Sequence, residues 1–302
     1  MSETRYRQKL SPNGHENQAN GFPHVLANNN NASSENRVYK IGDMPEYLRF
    51  NPFVKAGYRR QMNAKECCQS LLFFHNETVN IYTHAISGIL MLFWIPYASI
   101  PSINANYTLY VLHYIGCLSP FIGSTIYHLF MCHTSGSVTY DRLLKFDMCG
   151  IWAINAFGGI TAIKATLYCS PNIGNFCVVL YFLTAFVILY LVLTAKNVKE
   201  RFKPLLLFGV CRYTLLAVRG VMLYYNLAAG DSRAIIYYIL MDLAALIGGI
   251  LNVIRFPERY IPGKLDYCFN SHNLMHVVVT FCPILLHCGT MLDFNWMANN
   301  QC

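Results

Sequence analysis

The stretch "SHNLMHVVVTFCPILLHCG", residues 271–289, decides the fold of this chain because it is apolar over most of its length. A helix needs about 20 predominantly apolar residues to cross the hydrocarbon layer of a membrane. The stretch also opens with His272 and His276, which a helix places one turn apart on the same face. Ionisable side chains are uncommon in membrane-spanning segments. These two histidines therefore either end the helix at the lipid headgroups or hold a ligand.

The composition of the whole chain is that of a membrane protein with a polar arm. Of its 302 residues, 54% are hydrophobic and only 13% are charged, whereas about a quarter are charged in soluble domains. The N-terminal run "NGFPHVLANNNNASSENR" has too few apolar side chains to form a core. The sequence predicts a disordered arm over residues 1–43 and an all-α domain of seven transmembrane helices over residues 44–302.

Seven windows of the sequence are long and apolar enough to span a membrane, and polar connectors rich in Gly, Pro, Asn and Asp separate them. Pro283 lies inside the last window and is expected to kink that helix, which membrane helices tolerate. The predicted spans are residues 81–100, 107–131, 144–166, 175–195, 204–226, 234–254 and 272–291.

The distribution of Lys and Arg predicts how these spans are oriented. The N-terminal segment, the second, fourth and sixth connectors and the start of the third span together hold nineteen Lys and Arg, whereas the other connectors and the C-terminal tail hold Arg233 alone. Positive residues favour the cytoplasmic side, so the N-terminus is predicted to be cytoplasmic and the C-terminus lumenal or extracellular. This asymmetry and contact with anionic lipids account for the net charge of +8, and no nucleic-acid partner is predicted.

The cysteines indicate no disulfide framework. Most of the twelve fall within apolar runs, and no two form a CxxC pair. Buried cysteine behaves as a small hydrophobic residue, so neither disulfides nor a thiolate metal site is predicted. Cys67 and Cys68, just before the first span, are candidates for palmitoylation.

Five polar residues from three separate spans are predicted to meet at one membrane depth, near the cytoplasmic side. Ser124 and His128 lie near the end of the second span, Asp147 lies in the first turn of the third, and His272 with His276 begins the seventh. Taken singly, each could be an interfacial cap or a satisfied polar group, and Asp147 could complement the helix dipole. Together they favour a metal site.

The chemistry of this group is typical of a catalytic zinc centre. Three imidazoles supply three protein ligands and leave a fourth position for water, so the predicted ligands are His128, His272 and His276. Asp147 could accept a hydrogen bond from that water and act as general base, and Ser124 could bind the water or an incoming carbonyl. Zinc would polarise an amide or ester carbonyl, although iron and nickel also accept imidazole ligands.

A second polar group lies at the start of the first span. Glu77, Asn80 and His84 are spaced i, i+3 and i+7 and form one helical stripe at the predicted cytoplasmic boundary. Their expected role is structural: they bind neighbouring backbone or loop groups and seat the entry helix under the metal site.

Three charged residues lie deep within the fifth and sixth spans. Arg219 and Asp242 share a predicted depth, so we expect an ion pair between them, because an unpaired charge there is costly. Arg212 has no assigned partner and is a candidate for binding the carboxylate or headgroup of a lipid.

The remaining histidines have no partner at a matching depth and are expected to be ordinary interfacial or satisfied polar groups. They are His75, His113, His133 and His287.

Five blocks of the sequence stand out between about Met44 and the C-terminus: "NETVNIYTH", "STIYHLFMCH", "LLKFDMCGI", "PERYIPGKLDY" and "NSHNLMH". In these blocks the chain resembles the progestin and adipoQ receptor family, which is similar to alkaline ceramidases and to haemolysin-III-like proteins. The resemblance implies seven helices with a cytoplasmic N-terminus, a zinc ion held by His128, His272 and His276, and a zinc-bound water held by Ser124 and Asp147.

The function favoured by these residues and by the resemblance is hydrolysis of the amide of ceramide-like lipids, with an effect on sphingolipid signalling. The expected ligands are membrane lipids, with ceramide or fatty acid in the cavity of the helix bundle. The alternative is a receptor or scaffold with a structural zinc and a protein partner on the cytoplasmic side. An ion channel finds little support, because no span repeats acidic or filter-like features. The resemblance points to the Golgi membrane first and to the plasma membrane second.

Overall fold

The computed structural model of the chain describes residues 38–99, 106–196, 198–300 and 302. Within these residues the regular structure is helical, apart from two isolated bridges that pair Tyr39 with Tyr58 and Met62 with His133. The α-helices are α1 Ala64–Gln69, α2 Thr78–Ser99, α3 Tyr107–Phe130, α4 Ser137–Thr166, α5 Pro171–Thr194, α6 Val198–Tyr224, α7 Ala234–Ile254, α8 Ser271–Val279 and α9 Phe281–Asn299.

Seven helical segments among the described residues are long and apolar enough to cross a membrane, as predicted. Helices α2 to α7 each provide one, and α8 with α9 provides the seventh over Ser271–Asn299. The seventh is interrupted at Thr280, whose hydroxyl donates to the carbonyl of His276 at 2.8 Å. Pro283 has no N–H to donate to the preceding turn, which accounts for a break close to the expected kink.

Helices α3 and α4 lie at the centre of the bundle and pack against each other closely. Small residues make this possible, as is usual between membrane helices. A Cβ atom on Gly150 would lie 2.7 Å from the carbonyl oxygen of Ser119, and one on Gly123 would lie 3.1 Å from the Cα of Asp147. The two glycines therefore bring the backbone at Asp147 against the helix that carries Ser124.

Residues 38–75, which we call the cap, fold across the end of the bundle where α3 ends and α2 and α8 begin. Buried apolar residues of the cap, among them Met44 and Met62, pack against Tyr127 and Met131 at the end of α3. The end of the bundle that faces the cap is called the capped end below, and the other is the opposite end.

The predicted arm boundary at residue 43 is wrong, because the folded part begins earlier. The backbone N–H of Tyr39 donates to the carbonyl of Tyr58 at 2.7 Å, and that of Ile41 donates to the carbonyl of Lys55 at 2.9 Å. Residues 38–43 are thus part of the cap. The predicted disorder of residues 1–37 concerns residues outside the described part of the chain.

A disulfide joins Cys169 to Cys302 at the opposite end. The prediction of no disulfide is therefore wrong. The two residues are 133 positions apart, and only the packing of α4 against α9 brings the end of α4 close to the C-terminus.

Candidate metal centre

Three histidine side chains converge at the capped end of the bundle. The Nε2 atom of His272 lies 3.4 Å from Nε2 of His128 and 3.3 Å from Nε2 of His276. Two nitrogens bound to a tetrahedral zinc ion at 2.0–2.1 Å lie about 3.3–3.4 Å apart. His128 and His276 are 1% and 2% exposed. This group could hold a metal ion, and its spacing fits tetrahedral coordination.

The start of α8 is held by a side-chain cap that places both of its histidines. The Asn270 carboxamide oxygen accepts from the backbone N–H of His272 and of Asn273, each at 3.1 Å. Asparagine is a favoured N-cap because its side chain satisfies donors that the helix leaves free. The cap makes residue 271 the first of the helix, so His272 and His276 lie in its first two turns.

In two of the three imidazoles, the Nδ1 atom lies at hydrogen-bond distance from an acceptor. Nδ1 of His128 lies 2.7 Å from Oε2 of Glu77, and Nδ1 of His272 lies 3.2 Å from Oδ1 of Asn252. Both oxygens are acceptors, so the network assigns the proton to Nδ1 and leaves the Nε2 lone pair facing the other histidines. Metal-binding histidines have such partners almost always. Asn252 on α7 escaped the sequence analysis because asparagine carries no charge that would mark it.

Glu77 is buried as a carboxylate beneath His128. Burial acts to raise the pKa of its carboxyl group, but the hydrogen bond from His128, electrostatic interactions with His128 and His272 and the hydrogen bond from Asn80 outweigh burial and lower the pKa to about 2. The carboxylate is therefore a permanent acceptor at neutral pH. The expected backbone and loop partners are wrong for this side chain, because its partners are a candidate ligand and a neighbouring asparagine.

The predicted stripe of three residues does face the site. Asn80 donates to Glu77 at 2.7 Å, and its own carboxamide oxygen accepts from Asn273 of α8, also at 2.7 Å. The ring of His84 packs against that of His276, with 4.4 Å between the centroids. The stripe thereby connects α2 to α8 and aligns the carboxylate behind His128 with the helix that carries the other two histidines.

Ser124 and Asp147 approach the same centre from α3 and α4. Ser124 lies one turn before His128, is 3% exposed, and its hydroxyl has no hydrogen-bond partner within the described part of the chain. Asp147 is half-buried, packs its backbone against Gly123 and is close enough to His128 for an electrostatic interaction. A buried hydroxyl without a partner is expected where a water or substrate group binds.

A small pocket adjoins His272 on the side of the cap. It lies between the loop of residues 50–58, the start of α2 and the start of α8. Its lining residues are Phe50, Asn51, Val54, Tyr58, Asn76, Glu77, Asn80, Asn270 and His272.

The intramembrane ion pairs differ from the predicted one. Arg219 pairs with Asp293 of α9 and not with Asp242, and Tyr238 also donates to this carboxylate at 2.8 Å. Asp242 lies 3.1 Å from Arg212, which also donates to Asn155 at 2.6 Å. Sequence reasoning missed Asp293 because the predicted seventh span ended at residue 291.

Arg212 thus has partners, contrary to the sequence interpretation. Its role in binding a lipid carboxylate stays a prediction, and it would require a lipid to share or replace Asp242.

His113 and His287 form a second buried histidine pair, nearer the opposite end. Nε2 of His113 lies 2.9 Å from Nδ1 of His287, a hydrogen-bond distance, and both side chains are at most 1% exposed. The prediction that these histidines lack partners is wrong, because each is the partner of the other.

The known proteins that this chain matches are similar to it over the helical domain. The model of the haemolysin-III-related family matches residues 72–288. The chain is 37% identical to progestin and adipoQ receptor family member 4 of Homo sapiens, over 88% of this chain and 96% of the relative. It is 27% identical to member 3 of Mus musculus, over 88% and 89%, and 28% identical to the adiponectin receptor protein of Drosophila melanogaster, over 80% and 56%.

Proposed function

Because the chain belongs to the haemolysin-III-related family, and within it to the progestin and adipoQ receptors, we propose that it is a zinc-dependent membrane amidase that hydrolyses ceramide-like lipids. The observation that carries this proposal is the convergence of three histidine Nε2 atoms beside an unpartnered serine hydroxyl and an aspartate.

Zinc is proposed because the donors and their spacing suit it. His128, His272 and His276 offer three neutral nitrogens, the ligand number of catalytic zinc sites that keep one position open. Imidazole also suits copper, iron and nickel, but the nitrogen spacing fits a tetrahedral ion. When bound, zinc would polarise the amide carbonyl and lower the pKa of a coordinated water to about 7.

The protein side chains carry the proton transfers. Asp147 takes a proton from the attacking water and passes it to the leaving amine, so the products are a fatty acid and a sphingoid base. The Ser124 hydroxyl binds the water or the amide carbonyl, which gives this buried group its missing partner. Glu77 keeps His128 in the tautomer that presents Nε2.

The site lies within the membrane-spanning bundle, which favours a lipid substrate over a soluble one. Ceramide or fatty acid would occupy the space between the helices, with Arg212 as a candidate contact for a carboxylate or headgroup. We place the capped end in the cytoplasm, in accord with the excess of Lys and Arg on that side. The disulfide at the opposite end supports this orientation, because disulfides persist in oxidising compartments. Golgi or plasma membrane is the proposed location.

The second candidate is a receptor or scaffold in which the zinc is structural. The relatives named above are called receptors, and a partner protein could bind the cytoplasmic side. In that case the metal would be retained without turnover of lipid.

The deciding experiment measures fatty-acid release from ceramide by the purified protein in lipid nanodiscs, with bound zinc quantified in each sample. Asp147→Asn removes the base and keeps the size of the side chain, so release should fall at least about 100-fold while zinc is retained. Asp141→Asn, on the same helix and paired at its surface with Arg201 and Lys145, is the matched control. Bound zinc without release above Asp147→Asn would favour the receptor or scaffold.

A further inference from the structure

Two cysteine side chains lie in contact where the cap meets α3. Sγ of Cys67 is 3.9 Å from Sγ of Cys132, and the two residues are 0% and 2% exposed. Cys67 belongs to α1 of the cap, and Cys132 follows the end of α3, the helix that carries His128. The proposed amidase function uses neither thiol.

Hydrogen bonds hold the backbone next to both cysteines of this pair. The N–H of Met62 donates to the carbonyl of Cys132 at 3.0 Å, and the N–H of Thr134 donates back to the carbonyl of Met62 at 2.9 Å. The hydroxyl of Ser70 donates to the carbonyl of Cys67 at 2.6 Å. The two sulfur atoms are therefore kept together by bonds that do not involve them.

A buried arginine connects the thiol pair to the metal-binding helix. The guanidinium of Arg59 donates to Ser70 Oγ at 2.8 Å and to the carbonyl oxygens of His128 and Leu129 at 2.5 and 3.0 Å. It is 3% exposed. The thiols and the last turn of α3 thus share one positively charged junction.

This environment makes the two thiols unequal. The hydrogen bond between the two thiols and the nearby Arg59 charge lower the pKa of Cys132 and together outweigh burial, which would raise it. The same hydrogen bond and burial raise the pKa of Cys67. Sγ of Cys67 also lies 3.9 Å from the carbonyl oxygen of Met62, an acceptor that favours the protonated form of Cys67. Thiolate is the nucleophilic form of cysteine, so we assign the attack to Cys132 and the resolving step to Cys67.

We propose that Cys67 and Cys132 form a thiol-oxidation site that hydrogen peroxide converts into a reversible disulfide, which links the cap to α3. The Cys132 thiolate attacks one peroxide oxygen, the O–O bond breaks, hydroxide leaves, and Cys132 becomes a sulfenic acid. Cys67 then attacks the Cys132 sulfur, the S–O bond breaks, and water leaves. The two thiols lose two electrons and two protons, and the peroxide becomes two waters. A cellular dithiol reductant reverses the link.

Peroxide is the chosen oxidant because the pair is buried. A small molecule can reach the junction through local fluctuations, whereas a glutathione-sized disulfide would need the cap to open. Once formed, the link fastens the cap beside the pocket that adjoins the candidate metal centre.

The test treats the full-length protein in nanodiscs with hydrogen peroxide, blocks free thiols with N-ethylmaleimide, and identifies linked peptides by mass spectrometry without reduction. A Cys68→Ser background removes the adjacent exposed thiol, so that any link is assigned to Cys67. Cys117, which is buried and belongs to α3, reports on non-specific oxidation, and the Cys169–Cys302 peptide serves as an internal standard.

We expect the Cys67–Cys132 peptide to become the main form of both residues and to disappear on addition of dithiothreitol. In Cys67→Ser, dimedone should instead trap Cys132 as a sulfenic acid. Hydrogen exchange in residues 38–75 should slow several-fold in the linked form. The proposal is wrong if both thiols stay reduced at peroxide levels that oxidise exposed Cys68 in the wild type, or if Cys132 reacts no faster than Cys117. These readouts do not depend on lipid hydrolysis, so they are independent of the proposed function.

Discussion

The two ends of the bundle both bury histidines and charges, but they do so in different ways. At the opposite end the polar groups satisfy one another: His113 and His287 are 2.9 Å apart, and Arg219 lies against Asp293. At the capped end Nε2 of His272 lies 3.4 Å from Nε2 of His128 and 3.3 Å from Nε2 of His276, both longer than the distance in the other histidine pair.

The difference shows that a buried histidine in a membrane helix does not by itself indicate a metal. A distance of 2.9 Å is a hydrogen bond between one N–H and one lone pair. The longer spacing at the capped end accompanies acceptors behind His128 and His272 that direct the Nε2 lone pairs toward a common point. Three ring nitrogens that face one point suit a cation, whereas the hydrogen-bonded pair at the opposite end does not.

The largest effect is expected at the opposite end, where the buried ion pair between Arg219 and Asp293 can be broken by mutation. Arg219→Met leaves the Asp293 carboxylate buried without its counter-charge, which should destabilise the protein by about 3–5 kcal/mol. Unfolding in mixed detergent micelles would measure this. The double variant with Asp293→Leu should recover part of the loss, since it removes the orphaned charge. If the double variant is no more stable than Arg219→Met, the pair is not what stabilises this end.

Removal of a candidate ligand tests the capped end. His276→Ala should weaken zinc binding more than about 100-fold. This loss exceeds the loss of affinity of about 10- to 100-fold that is usual when a hydrogen-bond partner of a metal ligand is removed. His287→Ala, on the same seventh span, is the matched control and should keep its zinc. Metal content after dialysis against a chelator measures both. Equal zinc loss in the two variants would contradict the distinction between the two histidine groups.

The acceptor behind His128 should have an intermediate effect. Glu77→Gln keeps the shape of the side chain but replaces a carboxylate by a neutral amide, and zinc affinity should fall about 10- to 100-fold. Asn252→Ala should cost less, because it removes a neutral and longer hydrogen bond to His272. Competition with a fluorescent chelator measures both affinities, and Glu66→Gln on the surface of the cap is the control. An unchanged affinity in Glu77→Gln would show that His128 needs no orienting partner.

The smallest effect is expected from the histidine pair of the opposite end. His287→Ala leaves Nε2 of His113 without its partner, which should cost about 1–3 kcal/mol of stability. Fatty-acid release per folded molecule should not change. A loss of release at full zinc content would mean that the pair contributes to the substrate cavity, and the comparison of the two ends would then need revision.

The sequence alone determined the features that depend on local composition. Seven spans follow from apolar content summed along the chain. The order in which the spans cross the membrane predicts that the end of α3 and the starts of α4 and α8 lie on the same side. That order gives each residue a depth, and depth was enough to group His128, His272 and His276 with Ser124 and Asp147.

Only the tertiary structure decided which groups of equal depth touch one another. Arg219 and Asp242 share a depth but face different neighbours, so Asp293 is the partner of Arg219 and Arg212 is the partner of Asp242. Glu77 behind His128, the Cys169–Cys302 disulfide and the Cys67–Cys132 contact likewise join residues far apart in the chain. Depth is one coordinate of a residue in a membrane, and the rotation of each helix and the identity of its neighbours come from side-chain packing.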